Sequence, residues 1–201
     1  MSTRLLLVRH GQIDANLDQR WHGSTDSDLT PRGHDQVRRL AAHLARTHRD
    51  AVAVHSSPLQ RAQQTARPIA AALDVPLILS PGLGEFGIGV FENESYADLA
   101  GRHGFFEHIA ADVDWAPSGG ESLGAVAARV VDAWRSIACA HPDAEVVAVS
   151  HGAAIAAGLA LLLDQDPRAW TLYYQRNTSV SELELEPTPR VLVFDRADHL
   201  D

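Results

Sequence analysis

Three short aliphatic stretches constrain this chain more than anything else in it: Leu5-Leu6-Leu7-Val8, Ala51 to Val54, and Glu145 to Val149. They run apolar without alternation, as a strand does when both its faces are covered; a strand with one wet face alternates. Covering both faces calls for helices above and below, and helical patterns stand between the runs. Thr30-Pro31 offers an N-cap and an N1 proline to a helix carrying Val37, Leu40, Ala41 and Leu44 on one face. Pro58 opens the next, with Leu59, Ala62, Thr65 and Ala66 together, and Pro68 is expected to kink or end its first part. A third starts at Ser122, turns Val126, Val130, Val131, Trp134 and Ile137 inward, and ends at His141-Pro142. The apolar segment Ala153 to Leu163 falls short of the roughly 18 residues of a membrane span and suits a buried helix. Val75 to Leu79, Val180 to Leu185 and Val191 to Phe194 complete the strands. The expected fold is α/β, a three-layer sandwich with a mostly parallel central sheet flanked by helices, forming one domain over residues 1–201. From about 80 to 120 the pattern dissolves into glycines, acids and aromatics, with helical turns only at Tyr96 to Ala100 and Phe105 to Ala110. An irregular insertion of that length in a compact domain is expected to be a functional cap region.

Composition narrows the function. A chain of 201 residues buries enough surface to fold without disulfides or a structural metal. It contains no lysine, which removes Schiff-base, P-loop and kinase-type lysine chemistry. A formal charge of −9 argues against gripping nucleic acid or an anionic membrane. One cysteine, Cys139, rules out a disulfide framework or a thiolate cluster. The N-terminal apolar run is too short for a signal peptide and meets Arg9 and His10 at once, so cytoplasm is the default compartment.

In parallel α/β sheets, ligands bind beyond the carboxyl ends of the strands. Three such ends carry polar groups: Arg9-His10-Gly11, His55-Ser56-Ser57 followed by Arg61, and Ser150-His151-Gly152. One histidine after a strand is ordinary; two His-Gly pairs at two strand ends are a pattern. Glycine after each histidine permits close backbone approach, and Gly152 would set helix-start N–H groups beside His151, which favours an anion. Arg9, Arg61, His10 and His151 together would form a small positive pocket on an acidic protein, matched to a phosphoryl group because guanidinium binds phosphate oxygens bidentately. The bland alternative for Arg61 is a surface ion pair.

These residues resemble the histidine phosphatase superfamily, also called phosphoglycerate-mutase-like, in order along nearly the whole chain. The matching blocks are Arg9-His10-Gly11 with Asn16; Gly23, Asp28-Leu29-Thr30 and Gly33; Ser56 to Ala66; Glu85 with Gly89 and Glu92; Gly119-Gly120-Glu121-Ser122; Val149-Ser150-His151-Gly152; and Asn177-Thr178-Ser179. The resemblance implies that His10 is the nucleophile that becomes phosphorylated, that Arg9, Arg61 and His151 clamp the phosphate, and that Glu85 protonates the leaving oxygen and then activates water. By the same resemblance Asn16, His22 and Gly23 line the phosphate or substrate site. Phe91 stands where the family commonly has tryptophan and Asn93 where it has glycine, departures that bear on pocket shape more than on chemistry. A neutral imidazole can attack phosphorus if its other nitrogen is held as a donor. Glu85 would need a raised pKa, against the pull of nearby arginines.

Other readings compete. Gly82-Leu83-Gly84-Glu85-Phe86-Gly87 satisfies the dinucleotide-binding expression, but no helix promptly follows, so an oxidoreductase is disfavoured. Eleven histidines raise a metal hydrolase, yet metal-ligand spacing is missing; His103, Glu107 and His108 make at best a loose cluster, and His34, His43, His48 and His199 read as surface residues. A phosphate-binding module without turnover is a third. Within the family, a cofactor-dependent phosphoglycerate mutase would want extra cations in the insertion, where Arg102 stands alone among acids. The expected activity is therefore phosphomonoester hydrolysis, metal-independent and without a cofactor, on a small phosphorylated metabolite with a neutral or partly apolar leaving group. Phe91, Tyr96, Phe105, Phe106 and Trp115 are candidate pocket walls or plain packing. The expected partner is that substrate, with nucleic acid and membrane excluded and a homodimer left open.

Overall fold

A computed structural model describes residues 3–201. Six strands form one sheet in the order β3-β2-β4-β1-β5-β6, with β1 Arg4–Arg9, β2 Ala51–Ser56, β3 Leu77–Leu79, β4 Glu145–Ser150, β5 Val180–Glu184 and β6 Arg190–Arg196. β3, β2, β4 and β1 pair in parallel, and β5 runs antiparallel to both of its neighbours. The helices are α1 Asp14–Leu17, α2 Pro31–Thr47, α3 Gln60–Leu73, α4 Tyr96–Gly101, α5 Phe105–Ala111, α6 Leu123–Ala140 and α7 Gly152–Asp164. Among the described residues no helix is long and apolar enough to cross a membrane.

The unbroken aliphatic runs divide between two cores, because successive strand side chains point to opposite faces. Leu5, Leu7, Val146 and Ala148 pack with α6 and α7 through Val126, Val130, Trp134 and Ile155. Leu6, Val8, Val147 and Val149 pack with α2 and α3 through Leu40, Leu44, Ala62 and Ile69. Each buried valine, leucine or isoleucine among them contributes about 1.5–3 kcal/mol, and that double burial makes the three-layer sandwich.

Two helix starts follow the sequence signals. Thr30 accepts a hydrogen bond from the Gly33 N–H at 3.0 Å with Pro31 at N1, and Ser122 accepts from Ala125 at 3.1 Å; each cap stabilises by about 1 kcal/mol. α3 does not end at Pro68 but continues through it to Leu73. Proline forfeits one helical hydrogen bond, but Ala66, Ile69 and Ala70 are buried against the sheet and hold the helix across the gap. His48 is corrected, from surface to buried, with Nδ1 3.0 Å from Glu145 Oε1. Between β3 and α6 the chain forms 3-10 turns at Pro81–Leu83 and Gly89–Phe91, then α4 and α5. A further 3-10 segment, Pro167–Tyr173, follows α7 and packs extensively on it.

Candidate active site

The carboxyl ends of β1 and β4 are adjacent, with Arg9 opposite Ser150 in register, so the residues that follow are delivered to one place. His10 and His151 lie with ring centroids 5.1 Å apart, both buried. His10 Nδ1 is 2.7 Å from the Gly11 carbonyl oxygen. A carbonyl only accepts, so Nδ1 carries the proton and Nε2 keeps its lone pair. The loop is pinned from three sides: Gly11 N–H donates to Thr65 Oγ1 (3.0 Å), Asn177 Nδ2 donates to the His10 carbonyl (2.9 Å), and Thr178 N–H donates to the Arg9 carbonyl (2.9 Å).

Arg61 is fully buried at the start of α3, not in a surface ion pair. Its Nε donates to His151 Nδ1 at 3.2 Å, and its terminal nitrogens donate to the carbonyls of Thr25 (2.7 Å), His22 (2.9 Å) and Gly23 (2.8 Å). Because His151 Nδ1 is thereby an acceptor, its Nε2 is the protonated nitrogen and donates to Ser57 Oγ at 2.8 Å. Burial first, then Arg61 and other nearby cations, hold both histidines well below the ordinary imidazole pKa. They are neutral, and the positive charge of the pocket belongs to the arginines alone. Arg9 donates from Nη1 to the Gln175 carbonyl at 2.6 Å, lies 4.8 Å from the Tyr174 ring centroid, and keeps a buried Nε without a partner.

Glu85 occupies the place where sequence suggested an open anion site. Its carboxylate accepts from the Ala154 N–H at 2.8 Å, the Ala153 N–H at 3.2 Å and its own neighbour's N–H, that of Phe86, at 2.8 Å. The start of α7 is therefore capped by Glu85 itself, and Gly152 serves differently. A Cβ there would meet the Tyr174 ring at 2.8 Å, so glycine lets that tyrosine lie against the helix start. Burial raises the Glu85 pKa, outweighing the Phe86 N–H, Arg61 and the helix N–H groups that lower it.

Arg9, His10, Asn16, Arg20, His22, Glu85, Tyr96 and Tyr174 border one narrow cell of about 20 Å³. Asn16 accepts from Asn177 Nδ2 at 3.1 Å and from the Ile13 N–H at 3.1 Å, and His22 Nε2 lies 3.0 Å from Asn93 Oδ1. Gly23 lies outside the cell's lining. It packs so tightly against the Phe86 carbonyl and Glu92 that any Cβ would collide, and it offers its carbonyl to Arg61. Glu92 accepts the N–H groups of Gly23, Ser24 and Thr25, all at 3.0 Å, which aims those carbonyls at Arg61. Asn93 has φ +65°, which explains why glycine commonly stands there and why asparagine is accepted. Phe91 packs on His103, and His108 stacks on Trp115; among the described residues no group of three or more His, Cys, Asp or Glu is placed to hold a metal. Gly82 and Gly84 open no helix; their carbonyls accept from Arg129, which also pairs with Glu121.

Sequence reasoning missed several participants. Ser57 was within a matched block but had no assigned partner. Arg129, on α6, holds the Glu85 loop from outside. Trp21, whose ring meets Phe86, Tyr96, Phe105 and Trp170 at 5.7–6.1 Å, is the centre of the aromatic packing beside the cell. Tyr174 is brought in by the segment after α7, and no local motif marks it.

The family model for the histidine phosphatase superfamily (branch 1) matches residues 5–195. The chain belongs to the histidine phosphatase superfamily. Within it, the chain is 37% identical over 163 residues to a bifunctional protein of Mycobacterium tuberculosis, a match covering 81% of this chain but only 44% of that relative. The chain thus spans less than half the length of those mycobacterial relatives. It is 30% identical over 192 residues to phosphoserine phosphatase 1 of Hydrogenobacter thermophilus, covering 94% and 90% of the two chains, and 30% identical over 191 residues to a probable phosphoglycerate mutase of an Enterobacter strain, covering 92% and 86%. Among solved structures, a phosphoserine phosphatase of Entamoeba histolytica in complex with 3-phosphoglyceric acid superposes with a TM-score of 0.88 at 28% identity, over 99% of this chain and 100% of that one.

Proposed function

We propose that this member of the superfamily hydrolyses phosphomonoesters through a phosphohistidine on His10. The observation that carries this reading is the buried, neutral His10 with Nδ1–H tied to the Gly11 carbonyl, facing the same cell as Glu85 and Arg9. Nε2 of His10 attacks phosphorus, forming an N–P bond as the ester P–O bond breaks. The proton of Glu85 goes to the departing alkoxide oxygen, so the alcohol leaves neutral. Water then attacks the phosphohistidine, Glu85 takes its proton, the N–P bond breaks, and inorganic phosphate leaves. Charge developing on the transferring phosphoryl oxygens is met directly by Arg9, which borders the cell, and at longer range by the buried charge of Arg61, whose N–H groups, like that of His151, are donated within the protein. Preorganised donors of this kind are worth about 10²–10³ in rate each.

The raised pKa of Glu85 favours the protonated form that the acid role requires, and the lowered pKa of His10 keeps the nucleophile free of a proton. Relatives named as phosphatases, acting on phosphoserine and on glucosyl-3-phosphoglycerate, support hydrolysis. A relative named as a probable mutase supports the alternative; against it, the insertion brings no arginine to the cell, since Arg102 is committed to Asp98 at 3.0 Å. Rapid-quench labelling tests the proposal. Wild type is expected to accumulate an acid-labile phosphoryl group that His10→Ala lacks, with release of inorganic phosphate. Equal labelling of both proteins sinks the assignment, and isomerised product without phosphate release establishes the mutase.

A further inference from the structure

The narrow cell opens onto a second, much larger chamber of about 700 Å³. Arg9, Asn16, Tyr96 and Tyr174 border both compartments, with the two tyrosine hydroxyls 3.3 Å apart. Beyond them the walls are Phe106, Ile109, Leu123 and Trp170, and most of the exposed lining is apolar. Of the sequence's five aromatic candidates, only Tyr96 and Phe106 reach this chamber; Phe91, Phe105 and Trp115 pack into the core around it.

Charge in the chamber is as informative as size. No carboxylate lines it, and its cations are Arg9, already part of the phosphate clamp, and Arg168. Arg168 Nε is held by both Asp166 oxygens, at 2.8 and 3.1 Å, so a ligand carboxylate would compete with Asp166 for it. A serine or glycerate leaving group would fill a fraction of this space and leave its own carboxylate facing apolar walls, which costs desolvation energy without a paired cation. Chambers of this volume and lining hold larger, mostly apolar ligands fixed by a few polar groups.

Resting on the phosphatase reading, we infer that the physiological substrate is a phosphomonoester whose leaving group is bulky and uncharged, with a flat apolar portion seated between Trp170 and Phe106. The phosphoryl group occupies the narrow cell and the ester oxygen lies at the Tyr96–Tyr174 boundary.

The test compares kcat/KM for ethyl phosphate, 2-(1-naphthyl)ethyl phosphate, phosphoserine and 3-phosphoglycerate. The first two release alcohols of similar acidity, so their ratio reports the chamber and not leaving-group chemistry. The naphthylethyl ester is expected to exceed ethyl phosphate by about thirtyfold or more and to exceed both charged esters. Ala110→Trp, which narrows the chamber from its exposed edge, is expected to cut the naphthylethyl-to-ethyl ratio about tenfold. A ratio near one, or preference for either charged ester, with His10 still phosphorylated, overturns this substrate class and leaves the phosphatase standing. Turnover of none of the four esters, with no phosphohistidine formed, overturns the phosphatase reading and this inference with it.

Discussion

The two ends of the same strands carry charge in opposite ways. At the amino ends of β1 and β4, beside the carboxyl end of antiparallel β5, Arg4 lies between Glu182 at 3.5 Å, Glu184 at 3.8 Å and Glu145 at 3.9 Å, while His48, Arg190 and Arg196 pair with the same acids. Each of those three arginines has a carboxylate. At the carboxyl ends, Arg9 and Arg61 are held by carbonyls, and the nearest carboxylate ion pair of Arg61 is half-exposed Asp26 at 4.0 Å. Carbonyl oxygens satisfy guanidinium N–H groups but do not cancel the charge. A neutralised network is complete without a ligand, whereas a buried cation held only by dipoles lowers its energy when an anion arrives. The difference separates a structural end from a reactive end more cleanly than the residue types, which overlap.

Glu85→Gln should break that contrast most deeply. The amide can still occupy the helix start but can neither give nor take a proton, so kcat is expected to fall about 10²–10⁴-fold. In wild type, activity needs His10 deprotonated and Glu85 protonated. It should therefore fall in acid as His10 titrates, at a pH well below the usual imidazole range, and fall on the alkaline side as Glu85 titrates above the usual carboxylate range. A pH–rate profile of residual Glu85→Gln activity should lack the alkaline limb; its persistence would mean that another group is the acid.

Arg61→Met tests whether the carbonyl-held cation serves structure, chemistry or both. Removing the guanidinium orphans the buried Gly23 carbonyl, the partly buried carbonyls of His22 and Thr25 and a ring nitrogen, so we expect a loss of about 2–4 kcal/mol in denaturant unfolding and about 10²–10³ in kcat/KM. A stable variant with unchanged turnover would refute the clamp.

The smallest effect is expected at the paired end. Glu182→Gln should cost about 1–2 kcal/mol of stability, because it weakens a partly buried network, and should leave kcat/KM within about twofold. A tenfold loss of turnover would show that the two ends are coupled through the sheet.

Much of the fold was legible because it rests on periodicity. Leu5 to Val8 reads as a doubly covered strand from four letters, and Thr30-Pro31 reads as a helix start because capping is local. Pro68 does not end its helix because a local rule met a buried face: Ile69 and Ala70 hold the helix from outside it. His48 was misread because its partner, Glu145, is 97 residues away. In the site, His10, Arg61 and His151 stood out as polar groups at strand ends. The tautomers did not, since they depend on Gly11, Ser57 and Arg61 converging in space.

What the sequence determined alone was the layered α/β architecture, the absence of lysine chemistry, and the set of groups available at the strand ends. Only the tertiary structure decided their states. It buried both histidines and made them neutral, and it spent the α7 helix start on Glu85 while still raising that residue's pKa. It also brought Tyr174 and Trp170 from beyond α7 to meet Tyr96 and Phe106 across the chamber. The physical reason is range. Strand and helix patterns come from forces between residues a few positions apart, whereas protonation and pocket shape follow from desolvation and charge summed over everything that folding brings near.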